Sequence, residues 1–152
     1  SQISNDKSQI IVVCGQNRQL MTKLMKLSES NPGLFHLFPY VNNVRELMAA
    51  SDIVVGKAGP NILFESIFML KPFLATGCLP GQEEGNLEFI KRENLGWVME
   101  EPEEAVELLE KLCNSNPLNP SISLITPNLI RVRNEHLNGA KNAATEIANL
   151  IM

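Results

Sequence analysis

Up to Cys113 the chain alternates between short apolar runs and longer segments in which apolar residues recur every three or four positions. The runs at residues 10–14 and 53–55 are β-branched, apolar on both faces and followed by glycine, which is typical of buried parallel strands. Residues 17–29 place leucines at helical spacing and are followed by Asn-Pro-Gly. This alternation predicts a Rossmann-like doubly wound α/β fold, in which a parallel sheet carries helices on both faces.

The pattern locates each element along the chain. The predicted strands are residues 10–14, 34–40, 53–55, 73–75 and 97–99. The predicted helices are residues 17–29, 45–50, 61–70, 83–93, 102–113 and 134–150. Residues 114–128, which contain three prolines, are predicted to form a loop.

Composition excludes several classes of protein. The 152 residues fit one domain, and the 44% of hydrophobic residues are enough to form a core. A net charge of −4 and an aromatic content of 5% do not favour nucleic-acid binding. The sequence has no apolar run long enough to span a membrane and no secretion signal, and its three cysteines are widely spaced. We therefore expect a cytoplasmic protein.

The first candidate site is the segment Gly-Lys-Ala-Gly-Pro-Asn at residues 56–61, because ligands of doubly wound sheets bind beyond the carboxyl ends of the strands. Its glycines let a ligand approach the backbone, and the amides of Asn61 and Ile62 would lie at a helix N-terminus that favours an anion such as phosphate. It is not a Walker A loop. An ordinary strand-to-helix turn remains an alternative.

The second candidate is Glu65, which lies in the next helix among apolar residues. Burying an unpaired carboxylate is unfavourable, so this position suggests a ligand. One turn from the helix start, Glu65 could reach the ribose hydroxyls of a nucleotide whose phosphate binds at the N-terminus. A glutamate on the solvent-exposed face of the helix is the alternative.

Two further candidates follow the fourth and second strands. Residues 80–86, Pro-Gly-Gln-Glu-Glu-Gly-Asn, offer amides and carboxylates that pair with adjacent sugar hydroxyls, or they form a capping turn. Glu83 and Glu84 would project to different sides of a helix, which does not favour an acid–base pair. Residues 40–43 could recognise a base through backbone groups, or one of their asparagines could cap a helix.

No metal site is predicted. His36 and His136 lack the spacing of metal ligands, and we interpret both as structural. The two aspartates, Asp6 and Asp52, lie far apart, so there is no Asp-x-Asp pair to bridge a metal-bound diphosphate.

Together, residues 56–61, Glu65 and residues 80–86 resemble the motifs of the monogalactosyldiacylglycerol synthase family. That family belongs with the bacterial peptidoglycan N-acetylglucosaminyltransferase and the processive diacylglycerol glucosyltransferases in glycosyltransferase family 28. The resemblance extends over about residues 10–113. It implies half of a GT-B fold, and inverting transfer of a hexose from a UDP-sugar to a lipid acceptor such as diacylglycerol, without a metal or other cofactor.

The resemblance also implies a role for each site residue. The backbone of Val41 would pair with uracil, Glu65 would bind the ribose, and backbone amides in the turn before the helix would hold the diphosphate. The residues implied to bind the donor nucleotide are Val41, Gly59, Asn61, Ile62 and Glu65. The residues implied to contact the donor sugar are Gln82, Glu83 and Asn86.

The chain departs from the family in length. We expect residues 1–152 to be a single donor-binding domain that lacks its first strand and the N-terminal acceptor domain. The catalytic base and the lipid acceptor would belong to that missing domain, and the full enzyme would associate peripherally with a membrane. Two alternatives are a non-catalytic donor-binding subunit of a split glycosyltransferase and half of a UDP-sugar epimerase. An exposed apolar patch near Leu124, Ile125 or the last helix would favour the split enzyme.

Overall fold

The computed structural model of the protein describes residues 8–114 and 120–151. Within these ranges, five short strands alternate with helices, and two more helices follow. The strands are β1 (Ile10–Val13), β2 (Phe35–Phe38), β3 (Val54–Gly56), β4 (Phe73–Ala75) and β5 (Gly96–Val98). The helices are α1 (Arg18–Ser30), α2 (Val44–Ala50), α3 (Pro60–Phe68), α4 (Glu84–Glu93), α5 (Pro102–Asn114), α6 (Pro120–His136) and α7 (Gly139–Ile151).

All strand pairs in the described ranges are parallel, which confirms the predicted α/β fold class. β1 pairs with β2, and β4 lies between β3 and β5. The sequence predicts one sheet, whereas these strands form two, because no ladder hydrogen bonds join β1 or β2 to β3 in this part of the chain. Helices follow the strands and cover them, as expected for parallel sheets.

The core is centred on β4 and α3. All three residues of β4 are fully buried, which explains why its sequence is apolar without alternation. Leu63 and Ile67 of α3 pack into the same core cluster, and each side chain of this size contributes roughly 1.5–3 kcal/mol on burial. This packing fixes α3 in place, with its N-terminus directly after the carboxyl end of β3.

The pairing of β5 with β4 depends on Gly96. This residue is opposite Phe73 in the strand register. A Cβ atom at Gly96 would overlap the carbonyl oxygen of Phe73, so the two strands approach as closely as they do because the residue is glycine.

The prediction for the C-terminal part of the chain is wrong. The sequence predicts a loop at residues 114–128 and one helix over 134–150, but α6 runs through Pro127 and α7 starts after a break. Ile125, Leu129 and Val132 are spaced by four and three residues and are buried in the core cluster. Their burial outweighs the tendency of Pro127 to break a helix. Residues 115–119 of the predicted loop lie outside the described residues.

Candidate functional site

The turn between β3 and α3, residues 57–59, is the first part of the site and is called the α3 turn below. Gly59 is the N-cap residue of α3, and Pro60 occupies the first helical position. Leu63 N donates the first helical hydrogen bond, to Gly59 O at 3.1 Å. The amides of Asn61 and Ile62 therefore have no acceptor within the helix, and no acidic residue lies in this first turn. This end of the helix can accept an anion.

The second part is the segment between β4 and α4, residues 76–83, called the α4 loop below. Its last residue, Glu83, is buried, with a side chain only 10% exposed. Glu83 Oε2 accepts a 2.7 Å hydrogen bond from Leu79 N, and Oε1 forms an ion pair with Nζ of Lys57 in the α3 turn. Both carboxylate oxygens are therefore occupied by contacts within the protein.

Two further hydrogen bonds join the α3 turn to the segment that follows β4. Ala58 N donates to Gly77 O at 2.8 Å, and Asn86 Nδ2 donates to Ala58 O at 2.7 Å. Together with the Lys57–Glu83 ion pair, they attach the α3 turn to the α4 loop and to the start of α4 at three points. The sequence analysis included Lys57 in the segment 56–61 but assigned it no role, and its pairing with Glu83 is seen only in the structure.

The two neighbouring carboxylates of this region have separate partners. The hydrogen bond from Lys57, together with the Leu79 amide, holds the pKa of Glu83 below its ordinary value. Glu84 instead accepts a hydrogen bond from Gly81 N, which likewise lowers its pKa. Glu83 and Glu84 therefore do not form an acid–base pair. This agrees with the expectation that neighbouring residues project in different directions.

The third part of the site is a cavity of about 550 Å³ beside α2 and α3. Val41 and Glu65, the predicted base and ribose contacts, both line it. Glu65 is half-buried, and its carboxylate makes no hydrogen bond to any residue in the described ranges, so it is open to a ligand. The other lining residues are Tyr40, Asn42, Asn43, Val44, Arg45 and Glu46.

Helix α3 connects the cavity to the α3 turn. Gly59 caps this helix, Asn61 and Ile62 lie in its first turn, and Glu65 follows Asn61 by four residues. Four residues of helix correspond to about 6 Å along the axis. The remaining predicted residue, Gln82, is exposed in the α4 loop, and its side chain has no hydrogen-bond partner among the described residues.

The histidines lie away from these features. His36 is in β2, and the ring of His136 packs against Phe64 and Phe89, with centroid distances of 5.6 and 6.5 Å. Across residues 8–114 and 120–151, no three histidine, cysteine or acidic side chains cluster closely enough to hold a metal ion. None of the helices in the same ranges is long and apolar enough to cross a membrane.

The chain is similar in sequence to two enzymes whose names include diacylglycerol. Over 124 residues it is 25% identical to monogalactosyldiacylglycerol synthase 1 of Arabidopsis thaliana, which covers 82% of this chain and 22% of that protein. Over 104 residues it is 32% identical to the processive diacylglycerol β-glucosyltransferase of Bacillus cereus, which covers 68% of this chain and 27% of that protein. The chain thus spans about a quarter of the length of these relatives.

A solved structure shares the fold. WaaG, a glycosyltransferase involved in lipopolysaccharide biosynthesis, superimposes with a TM-score of 0.63 at 26% identity, over 83% of this chain and 34% of WaaG. The family model described as the glycosyltransferase family 28 C-terminal domain matches residues 1–120, which include all the site residues named above. The chain therefore belongs to the family of glycosyltransferase family 28 C-terminal domains.

Proposed function

We propose that this chain is the donor-binding half of an inverting glycosyltransferase that transfers a hexose from a UDP-sugar to a lipid hydroxyl such as that of diacylglycerol. The observation that carries the proposal is the cavity that Val41 and Glu65 share, on the helix α3 whose open N-terminus lies one turn before Glu65. The two relatives named above, one a monogalactosyldiacylglycerol synthase and the other a diacylglycerol glucosyltransferase, support a lipid acceptor.

The nucleotide would extend along α3. Uracil would pair with the backbone of Val41, and the free carboxylate of Glu65 would accept hydrogen bonds from the ribose hydroxyls. The diphosphate would reach the amides of Asn61 and Ile62, with Gly59 allowing close approach. The rise of about 6 Å between Asn61 and Glu65 fits the separation of a ribose from its phosphates.

The sugar would lie beyond the diphosphate, along the α4 loop. Of the residues that the sequence assigns to the sugar, Gln82 is exposed and has no partner among the described residues, so its amide is open to a sugar hydroxyl. Asn86 uses Nδ2 to bond Ala58 O, and its Oδ1 atom is the group left for a ligand.

The reaction would be a direct displacement. The acceptor oxygen forms a bond to the anomeric carbon as the bond from that carbon to the β-phosphate oxygen breaks, and the acceptor proton passes to a base. The negative charge that develops on UDP would be stabilised by the helix N-terminus at Asn61 and Ile62, an arrangement that requires no metal ion. We assign the base and the acceptor site to another part of the enzyme, so that this chain binds the donor without transferring the sugar.

The grouping of the strands in residues 8–114 supports the strand order of a doubly wound donor domain. In the doubly wound order 3-2-1-4-5-6, the first strand lies between the second and the fourth. If β1 and β2 are the second and third strands and β3, β4 and β5 the next three, the two groups observed lie on either side of the position of the first strand. We propose that residues 1–152 form this one domain and that the full enzyme acts at the cytoplasmic face of a membrane, peripherally bound.

A second candidate is a donor-binding subunit whose acceptor site belongs to a separate chain. The observation that favours it is exposed apolar surface at the C-terminal end, where the exposed fraction reaches 72% at Leu124 and 85% at Leu150. Ile125, by contrast, is buried in the core. Half of a UDP-sugar epimerase would have the same nucleotide site, and no observation in the structure favours it over transfer.

The test is ligand-observed NMR of this chain with UDP, UMP, ADP, UDP-galactose and UDP-glucose, with EDTA present. We expect uridine nucleotides to bind and ADP not to bind, and the tighter of the two sugar nucleotides indicates the donor. In the Glu65→Ala variant, UDP affinity should fall about tenfold or more, because a charge-assisted hydrogen bond is lost. Equal binding of ADP and UDP, or unchanged UDP affinity in the variant, would overturn the nucleotide assignment. The matched control is Glu88→Ala, an exposed glutamate of α4.

A further inference from the structure

The contacts of Glu83 differ from those expected of a sugar-binding carboxylate. A glutamate that recognises a sugar presents its oxygens to the ligand, but Oε1 of Glu83 is paired with Lys57 and Oε2 with the Leu79 amide. The side chain is also only 10% exposed. Each oxygen keeps a second lone pair, but the low exposure of the side chain restricts the approach of a sugar hydroxyl to it.

We infer that Glu83 is a positioning residue, which affects the donor by holding Lys57 and the α3 turn in place rather than by contacting the sugar. The inference rests on the proposed function for its ligand and on the Lys57–Glu83–Leu79 contacts for its geometry. It makes the α4 loop a support for the diphosphate site, and it leaves the exposed amide of Gln82 as a group of that loop which can reach the sugar.

Lys57 is the residue through which Glu83 would act. Its side chain is 58% exposed, and Nζ lies 3.7 Å from the point where a Cβ atom of Gly59 would be. The ammonium group has three donors and uses one for Glu83, so two remain for phosphate oxygens. Glu83 thus fixes a positive charge beside the N-cap of α3, where the helix dipole already favours an anion.

Glu84, the first residue of α4, provides a matched control next to Glu83. Like Glu83, it is a carboxylate that accepts a hydrogen bond from a backbone amide of the α4 loop, that of Gly81. Unlike Glu83, it is exposed and has no contact with the α3 turn in the described ranges. Neutralising Glu84 therefore changes the charge of this region by the same amount without releasing Lys57.

The experiment measures the affinity of UDP and UDP-glucose for the parent chain, Glu83→Gln, Lys57→Met, the double variant and Glu84→Gln. We expect Glu83→Gln to weaken the binding of UDP and of UDP-glucose by the same factor, about tenfold. The reason is that the Lys57 ammonium group is no longer held where it contacts the diphosphate. The UDP affinity of the double variant should be little lower than that of either single variant, because both substitutions abolish the same Lys57–Glu83 contact. Glu84→Gln should bind UDP as the parent does.

Two results would overturn the inference. If Glu83→Gln weakens UDP-glucose alone and leaves UDP unchanged, Glu83 contacts the sugar directly. If the losses from Glu83→Gln and Lys57→Met add in the double variant, the two residues act independently.

Inorganic pyrophosphate is a further probe, because it tests Lys57 without a uracil. Pyrophosphate binding that Lys57→Met abolishes supports the inference even if no nucleotide preference is found.

Amide hydrogen exchange without any ligand separates this inference from the proposed function. Glu83→Gln should accelerate exchange of the Leu79 amide and also of the Ala58 amide in the α3 turn, because the turn loses an anchor. Glu84→Gln should accelerate exchange of the Gly81 amide and leave exchange of the Ala58 amide unchanged. Unchanged exchange at Ala58 in Glu83→Gln contradicts the positioning role. If no uridine nucleotide binds the parent but Ala58 responds as expected, the proposed function fails and the positioning role stands.

Discussion

The side-chain amide of Asn86 donates a 2.7 Å hydrogen bond to the carbonyl oxygen of Ala58, a residue with no solvent exposure. The bond connects the first turn of α4 to the α3 turn, and the amide of Ala58 is bonded to Gly77 O. Both backbone polar groups of this buried alanine are therefore satisfied. Because the α3 turn is held before any ligand arrives, the amides of Asn61 and Ile62 that follow it need little reorganisation to bind an anion.

Replacement of Asn86 by alanine should destabilise the fold. The carbonyl of Ala58 would be left buried without its donor, which reduces the free energy of unfolding by about 1–3 kcal/mol. Urea denaturation of the parent and Asn86→Ala measures this loss. The control is Asn142→Ala on the exposed face of α7, where a change within about 0.5 kcal/mol is expected. A loss no larger than that of the control would show that the bond contributes little.

The fold up to α5 was predictable because each element is specified by local pattern. β4 is apolar without interruption, and α3 begins at a proline after a glycine, so both could be placed from sequence. Helix α6 was not predictable in this way. Pro127 and the two prolines before it indicate a loop locally, and only contact with the core reveals that Ile125 and Leu129 are buried.

The candidate site was predictable where it depends on position after a strand. Val41 follows β2 and Glu65 follows the α3 turn, so the carboxyl ends of the strands bring them to one cavity. The Lys57–Glu83 pair could not be predicted, because 26 residues separate the partners and the sequence does not specify the conformation of the α4 loop. The same conformation decides that Glu83 is buried and that Gln82 is exposed.

The packing of α6 leads to a paired prediction at neighbouring residues. Leu129 is fully buried, whereas Ile130 next to it is 39% exposed. Leu129→Ala should reduce the free energy of unfolding by about 2–5 kcal/mol, because it leaves a cavity in the core. Ile130→Ala should reduce the free energy of unfolding clearly less. Chemical denaturation of both variants checks this, and equal losses would mean that α6 does not present Leu129 to the core.

A second pair of substitutions tests the approach of β5 to β4. Gly96→Ala should reduce the free energy of unfolding by at least about 3 kcal/mol, because the new Cβ would overlap the Phe73 carbonyl and force the strands apart. Gly85→Ala, in the first turn of α4, meets nothing within 4 Å and should stabilise by about 0.4–1 kcal/mol. Thermal denaturation distinguishes them, and a tolerated alanine at Gly96 would contradict the strand register.

The Lys57–Glu83 ion pair should make stability depend on pH in a defined direction. The hydrogen bond from Lys57 lowers the pKa of folded Glu83 below the value of about 4.3 for an unfolded glutamate. A depressed pKa means that the contribution of the pair is complete above about pH 4.3 and is lost as the pH falls through the lower folded pKa. The difference in the free energy of unfolding between the parent and Glu83→Gln should therefore be largest near pH 7 and shrink toward pH 3.

This comparison isolates Glu83 from the other acidic groups. The pKa values of Glu84 and Glu93 are also lowered by hydrogen bonds, but these residues are present in both proteins, so their titration cancels in the difference. Urea denaturation at several pH values between 3 and 7 gives the profile. Lys57→Met removes the other partner of the ion pair. Its free energy of unfolding should approach that of the parent as the pH falls over the same range. A difference that does not change with pH would mean that the charge of Glu83 does not stabilise the α4 loop.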